Sequence, residues 1–325
     1  MGEMVLVTGA RGFIGRDLLR RLPKSGVRVR ALLRESAEGA WDEAVICRLG
    51  AEAVADRVVE GVATVFHLAG IAHTWGPARE MSALYRTVNV KGTAALVEAA
   101  ARVGVRRFVF FSSVKAVRDP GEECIDESVT DWPADPYGRS KREAEEIVLE
   151  AGARSGMRVC VLRPTLVYGA GVKGNLLRMM EMIDHRRFPP PPRVDNRRSM
   201  VYVGDLVEAA LLAARETRAN GRTYIVGDTV PVSTREVYQW MCGALGRSAP
   251  RWGVPVRMLR AAAAVGEGIG RVAGRPMPLN REVLGRLLGS ACYRSDRIRR
   301  ELGWRPARTL RDALPEMVAS YRGRA

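Results

Sequence analysis

Residues 4–15 read Met4-Val5-Leu6-Val7-Thr8-Gly9-Ala10-Arg11-Gly12-Phe13-Ile14-Gly15. Met4–Thr8 is a short apolar, β-favouring run, and Asp17–Leu22 behind it has helical spacing. Three glycines at intervals of three, between a strand and a helix, each have a physical role. Gly9 permits a tight turn, Gly12 lets backbone approach a pyrophosphate, and Gly15 lets helix and strand pack closely. The pyrophosphate then sits on unpaired N–H groups at the helix N-terminus. No Lys-Ser/Thr pair follows the last glycine, so the stretch is not a P-loop.

Outward from that turn, apolar runs recur at Val27–Leu33, Ala63–Leu68, Phe108–Phe111 and Val159–Leu162. Helical patterns lie between them, among them Leu84–Val103 and Tyr137–Ala153. Strands alternating with helices predict an α/β chain with a parallel sheet covered on both faces. The right-handed crossover rule makes that sheet doubly wound, a Rossmann architecture. The second half changes character after the proline run Pro189–Pro192. Asp205–Arg215 again reads as a helix and Thr223–Val226 as a strand, and after Pro231 short helices are broken by Gly and Pro.

Composition bounds the partners. With 325 residues and 47% hydrophobic content, the chain can bury a core without disulfides or metals. The net charge of +16 suggests an anionic partner: nucleic acid, a membrane surface or a phosphorylated small molecule. Nucleic acid would want basic residues on one face with aromatics to stack bases. Aromatics are 6% and the arginines run from Arg11 to Arg324, so no nucleic acid is expected. Cys47, Cys124, Cys160, Cys242 and Cys292 are scattered singly, which fits a reducing compartment. His67, His73 and His185 form no zinc motif, so no metal is expected. No apolar run is long enough to span a membrane, and no basic region precedes the first apolar run as in a signal peptide. A cytoplasmic protein is the expectation.

The end of the second strand bears on cofactor choice. An acid there would hold a ribose 2′-hydroxyl, and an arginine a 2′-phosphate. Leu33 stands where the acid is sought and Arg34 follows, which favours NADP(H), with Arg11 as a second clamp. Against this stand the abundance of surface arginine and the reach of Glu35 to a ribose, so NAD and NADP both remain open.

Tyr137 and Lys141 lie four residues apart, on one face of a helix that Asp135 would cap and Pro136 would begin. The ammonium and the positive helix end should both lower the phenol pKa, making Tyr137 a general acid/base. Ser112-Ser113, at the end of the fourth apolar run, falls at the carboxyl edge of the sheet where ligands bind. His67 reads as a satisfied buried histidine.

These pieces resemble the extended short-chain dehydrogenases/reductases of the NAD-dependent epimerase/dehydratase family. The matching segments are TGARGFIG (8–15), HLAG (67–70), NVKGT (89–93), FVFFSS (108–113), YGRSK (137–141), RPTLVYG (163–169), VYVGDL (201–206) and RELGW (300–304). The resemblance implies an enzyme with a Rossmann domain over 1–168, rejoined by 197–230, a smaller C-terminal substrate lobe over 169–196 and 231–325, and usually a nucleotide-sugar substrate. It makes Tyr137 the acid/base, Lys141 its partner and ribose anchor, and Ser113 rather than Ser112 the hydroxyl on the reacting sugar oxygen. It lines the dinucleotide with Gly9, Arg11, Gly12, Phe13, Ile14, Gly15, Arg34, Leu68, Ala69, Gly70 and Pro164, with Asn89 supporting the neighbouring helix. On the substrate side it points to Asn175 for a uridine diphosphate and to Arg198 and Arg286 for the diphosphate oxygens. It also suggests a homodimer through the helices at 84–103 and 137–153.

Within the family, a dehydratase would carry acids directly after the serine, where this chain has Val114-Lys115. The expected activity is therefore a UDP-sugar 4-epimerase or 4-ketoreductase, or the same chemistry on a polyprenyl-diphosphate-linked sugar. Val117-Arg118 and Leu33-Arg34 depart from the 4-epimerase pattern and pull towards a reductase. The rival of another class is a non-catalytic NAD(P) sensor, which the presence of both Tyr137 and Lys141 disfavours.

Overall fold

A computed structural model describes residues 2–22, 26–72, 78–272 and 280–323; His73 lies outside them. The first half runs β1 (Met4–Thr8), α1 (Phe13–Arg21), β2 (Arg28–Leu33), β3 (Glu43–Ile46), β4 (Val62–His67), α2 (Ala78–Tyr85), α3 (Gly92–Arg102) and β5 (Arg107–Phe111). Next come β6 (Cys124–Ile125), α4 (Pro136–Ser155), β7 (Arg158–Pro164), β8 (Leu166–Tyr168), α5 (Asn175–Asp184), β9 (Met200–Tyr202), α6 (Val203–Arg215) and β10 (Arg222–Val226). The chain closes with α7 (Thr234–Ala244), α8 (Val256–Val272), α9 (Arg281–Leu288), β11 (Cys292–Tyr293), α10 (Asp296–Leu302) and α11 (Leu310–Arg322).

The large sheet is parallel throughout, in the order β10-β7-β5-β4-β1-β2-β3. Strand order reverses between β1 and β4, which opens a crevice at their carboxyl ends. Into it run the Gly9 turn, the 68–70 segment after β4, Ser112-Ser113 after β5 and Pro164 at the end of β7. The apolar runs read from the sequence are all strands of this sheet, because a strand buried on both faces carries near-continuous hydrophobics. The sequence did not reveal β3, whose residues alternate between half-buried and exposed at the sheet edge.

Helices cover both faces. Leu18 and Leu19 of α1, Leu206 and Ala210 of α6, and Ile298 and Leu302 of α10 pack on one side. Leu96 and Ala100 of α3 with Ala144 and Val148 of α4 pack on the other. Each such fully buried Leu or Val contributes about 1.5–3 kcal/mol relative to exposure. A separate cluster gathers Met180 of α5, Met241 of α7, and Leu314 and Met317 of α11. Helix α10 and Trp304 thus belong to the large sheet although they lie within the 231–325 stretch. They are tied there by Asp205: its carbonyl accepts from Trp304 Nε1 (3.0 Å), and its carboxylate accepts from the Ala307 and Arg308 amides (3.0 Å each).

The cysteine reading needs correction. β6 and β11 pair in parallel with Cys124 opposite Cys292, their Cα atoms 4.5 Å apart, and the two sulfurs form a disulfide. A sequence separation of 168 residues hid the pair. Cys47, Cys160 and Cys242 are free and buried. Among the described residues no helix is long and apolar enough to cross a membrane, and no His/Cys/Asp/Glu group could hold a metal.

Candidate active site

The β1–α1 turn is shaped by glycine where the sequence places it. Gly9 has φ +68°, and a Cβ there would stand 2.9 Å from the Ala69 amide. A Cβ on Gly15 would fall 2.3 Å from the Gly9 carbonyl oxygen, so only glycine lets α1 start this close to β1. Helix α1 begins at Gly12 without a side-chain cap. Its first N–H groups have no intrahelical acceptor and face the crevice with the positive end of the helix dipole. A dinucleotide pyrophosphate fits this cradle.

Behind the cradle runs a buried polar chain. The Ala69 amide donates to Thr8 Oγ1 (2.9 Å), and Thr8 Oγ1 lies 2.7 Å from His67 Nδ1. His67 Nε2 lies 2.9 Å from Thr93 Oγ1, which donates to the Asn89 carbonyl (2.6 Å). Thr93 has one hydroxyl proton and spends it on Asn89, so His67 Nε2 must be the donor and Nδ1 the acceptor. Burial, reinforced by the Lys141 charge, pulls the imidazole pKa down to about 3, so it is neutral. His67 is the satisfied core histidine expected.

Asn89 sits in a π-helical turn, Arg86–Lys91, between α2 and α3. Its amide accepts from the Ile71 N–H (2.9 Å) and donates to the Ile71 carbonyl (3.0 Å) and to Ser140 Oγ (3.0 Å). Ser140 passes the link to the Tyr137 carbonyl (2.7 Å). Asn89 thereby locks the Gly70-Ile71 loop to the helix that carries Tyr137.

That helix, α4, starts as expected: Asp135 accepts from the Gly138 amide (2.8 Å), with Pro136 in the first turn. It ends at Gly156 in the left-handed region, φ +75°. Tyr137 lies beside the Ser113 side chain, and its ring lies 5.7 Å from that of Tyr85. Lys141 is buried, donates to the Phe111 carbonyl (2.7 Å) and lies 4.4 Å above the Phe110 ring. The expected lowering of the phenol pKa does not occur. Burial pushes Tyr137 up to about 12, opposed by the neighbouring Ser113 side chain and assisted by Asp135 and Tyr85. Burial also pulls Lys141 down to about 8, against the opposing pull of Glu145.

Sequence reading missed the groups beneath these residues. Arg163 grips Glu145 with two hydrogen bonds (2.9 and 2.6 Å), both side chains almost fully buried. Ser112 donates to the same carboxylate. Ser112 is therefore committed to the interior while Ser113 faces Tyr137. Two signals were available: Glu145 lies four residues past Lys141 on the same helical face, and Arg163 opens the RPTLVYG segment.

The remaining candidates are more dispersed. Arg34 is exposed after β2, and Arg11 is paired with Glu35 (3.2 Å). Phe13, Ile14, Leu68 and Ala69 are half-buried, Gly70 is exposed, and Pro164 ends β7 in the core. Asn175 is exposed at the start of α5. The Arg198 guanidinium donates to the carbonyls of Arg286 (2.5 Å) and Gly289 (3.2 Å), so α9 holds it. Arg286 contributes that carbonyl while its exposed side chain pairs with Glu282.

Fold and site together define an extended short-chain dehydrogenase/reductase. The chain belongs to the NAD dependent epimerase/dehydratase family, whose model matches residues 5–227. It is 29% identical to UDP-glucose 4-epimerase of Vibrio cholerae, covering 99% of this chain and 96% of that protein. It is 31% identical to the 4-hydroxy-2-methyl-3-oxo-4-farnesyl-3,4-dihydroquinoline-1-oxide ketoreductase of Stigmatella aurantiaca, covering 92% and 90%. A solved structure of MoeE5 in complex with UDP-glucose and NAD superposes with a TM-score of 0.77 at 25% identity, covering 98% of this chain and 99% of that one. The chain is an NAD(P)-dependent enzyme of the epimerase/reductase type.

Proposed function

We propose that this enzyme is a 4-epimerase or 4-ketoreductase of a UDP-sugar, with Tyr137 as its acid/base. The observation that carries the reading is the placement of Tyr137 beside Ser113 at the crevice, one helical turn from buried Lys141. Gly9, Gly12 and Gly15 with the α1 N-terminus would hold the cofactor pyrophosphate. Leu68, Ala69, Gly70 and Pro164 would line the rest, and Lys141 would anchor a ribose. When bound, the nicotinamide supplies the hydride acceptor or donor. Ser113 and Tyr137 then share the substrate oxygen. Tyr137 Oη takes its proton as a hydroxyl becomes a ketone and returns one in the reverse direction. A phenol pKa near 12 leaves Tyr137 protonated at neutral pH, which suits donation to a ketone and so the reductive direction.

Arg34, with Arg11 beside it, supports NADP(H) over NAD(H). Asn175, Arg198 and Arg286 are the proposed contacts of the uridine diphosphate. The enzyme is proposed to be a homodimer; light scattering on the purified chain tests it.

A second reading is favoured by one observation: Arg198 is bonded to α9 carbonyls and Arg286 is paired with Glu282. Two arginines so engaged suit an apolar ring alcohol or ketone better than a diphosphate. The test is turnover with NADPH and with NADH on UDP-glucose, UDP-N-acetylglucosamine, a UDP-4-keto sugar and a 3β-hydroxysterol, with products read by mass spectrometry. Turnover of the sterol alone overturns the nucleotide-sugar reading. Tight cofactor binding without turnover of any of these substrates favours a sensor.

A further inference from the structure

The Cys124–Cys292 bridge sits between two parts of the candidate site. Strands β6 and β11 form a small sheet apart from the large one, with two residues in each strand. One flank of β11 is β6. It is joined there by the disulfide, by the Arg294 amide on the Ile125 carbonyl (2.8 Å) and by the Arg294–Asp126 ion pair (2.8 Å). The other flank is the 197–199 segment. The Ala291 amide donates to the Arg197 carbonyl (2.7 Å), the Ser199 amide to the Ala291 carbonyl (2.9 Å) and the Tyr293 amide to Ser199 Oγ (2.8 Å). Arg198 lies within that segment. Tyr293 packs with Ile125, Val117 and Val114 in one buried cluster, and Val114 directly follows Ser113. The bridge thus ties the loop after Ser113 to the segment that carries Arg198.

A pair of two-residue strands is marginal by itself, so the covalent tie carries much of the pairing. It joins segments 168 residues apart and removes chain freedom that a few main-chain bonds would otherwise have to overcome. The bridge also has an open side. Cys124 is half-buried and Gly121, Glu122 and Glu123 before it are exposed, whereas Cys292 is buried. An incoming thiolate therefore meets Cys124 first. The other three cysteines do not compete. Each is buried, and burial raises its thiol pKa and keeps it in the unreactive protonated form.

We propose that the Cys124–Cys292 disulfide is an exchange site for a dithiol reductant, and that opening it frees β11 from β6 and loosens the Arg198 segment. One thiolate of the dithiol attacks Cys124 Sγ. A mixed disulfide forms, and Cys292 leaves as a thiolate that takes a proton. The second thiolate of the reductant then displaces Cys124, which is protonated in turn. Two electrons pass from the dithiol to the protein, the reductant leaves as a disulfide, and both cysteines are thiols. Exchange with an oxidised dithiol runs the same steps backwards and closes the clasp. The inference does not depend on which alcohol or ketone the enzyme takes.

The test is hydrogen–deuterium exchange of the full chain before and after dithiothreitol, with thiols labelled by a maleimide in the native state. Reduction without denaturant should release Cys124 and Cys292 for labelling. Amide exchange in residues 289–294 and 196–199 should then accelerate by about tenfold or more, while residues 4–21 at the cofactor cradle keep their rate. Cys124→Ser with Cys292→Ser should exchange as the reduced parent does, with or without dithiothreitol. If that variant does not fold, the reduced parent gives the reading. The proposal is overturned if both cysteines stay thiols after oxidised dithiothreitol, or if reduction releases neither of them before unfolding. It is also overturned if they are released while 289–294 keeps its exchange rate, or if residues 4–21 accelerate equally.

Discussion

On the side of the crevice proposed for the cofactor, buried polar side chains are bonded to one another in closed sets. Thr8, His67 and Thr93 form one, Ser112, Glu145 and Arg163 another, and Asn89 ties the 70–71 loop to α4. On the side proposed for the substrate, Arg198 and Asn196 reach instead for main-chain carbonyls at the end of α9. The first arrangement fixes side-chain chemistry, because an unmatched buried donor or acceptor is costly. The second fixes the course of a loop and leaves the side chains facing the ligand free to differ.

The contrast breaks first at Tyr137. Tyr137→Phe should lower turnover by about 10²–10⁴-fold while NAD(P)H binding, followed by fluorescence, changes little. Full turnover would remove Tyr137 from the proton path. Next in size is Glu145→Gln, which leaves Arg163 buried without its counter-charge. Thermal and urea unfolding should show a loss of about 3–5 kcal/mol. A loss below 1 kcal/mol would mean that this closed set is not a structural constraint.

The His67 chain sharpens the comparison through pH. The folded imidazole has its pKa lowered to about 3 from 6.5, so between those values the unfolded chain binds the extra proton. Stability should therefore fall as pH drops through 6.5 towards 3, by on the order of a few kcal/mol. His67→Gln should flatten that part of the urea-midpoint profile relative to the parent.

The smallest effect belongs to the other side. If Arg198 serves α9 rather than a diphosphate, Arg198→Ala should change KM for a UDP-sugar by less than about threefold. A bidentate diphosphate contact predicts a rise nearer tenfold or more. Thiol titration of the denatured, unreduced protein should find three reactive cysteines, against five if Cys124 and Cys292 remain separate.

Much of the cofactor side was legible because its signals are local. Gly9, Gly12 and Gly15 are read from the strand–turn–helix in which they sit, and Tyr137 with Lys141 from one helical turn behind an Asp-Pro start. Ser113 needed only the end of an apolar run. Glu145 and Arg163 were within reach of the same reasoning but carry no motif of their own. Other features could not be read at all: the Cys124–Cys292 bridge, the Asp205–Trp304 tie and the grip of α9 on Arg198 each join segments far apart in the chain.

The sequence by itself determined the alternation of strand and helix, the dinucleotide cradle and the tyrosine–lysine pair, since periodicity and turn chemistry act over a few residues. Only the tertiary structure decided the protonation of Tyr137, His67 and Lys141, the partner of Ser112 and what Arg198 holds. A pKa depends on burial, and a hydrogen bond on which distant groups the fold brings together. The field of Lys141 and the helix end favoured tyrosinate on paper; desolvation in the packed crevice outweighed it.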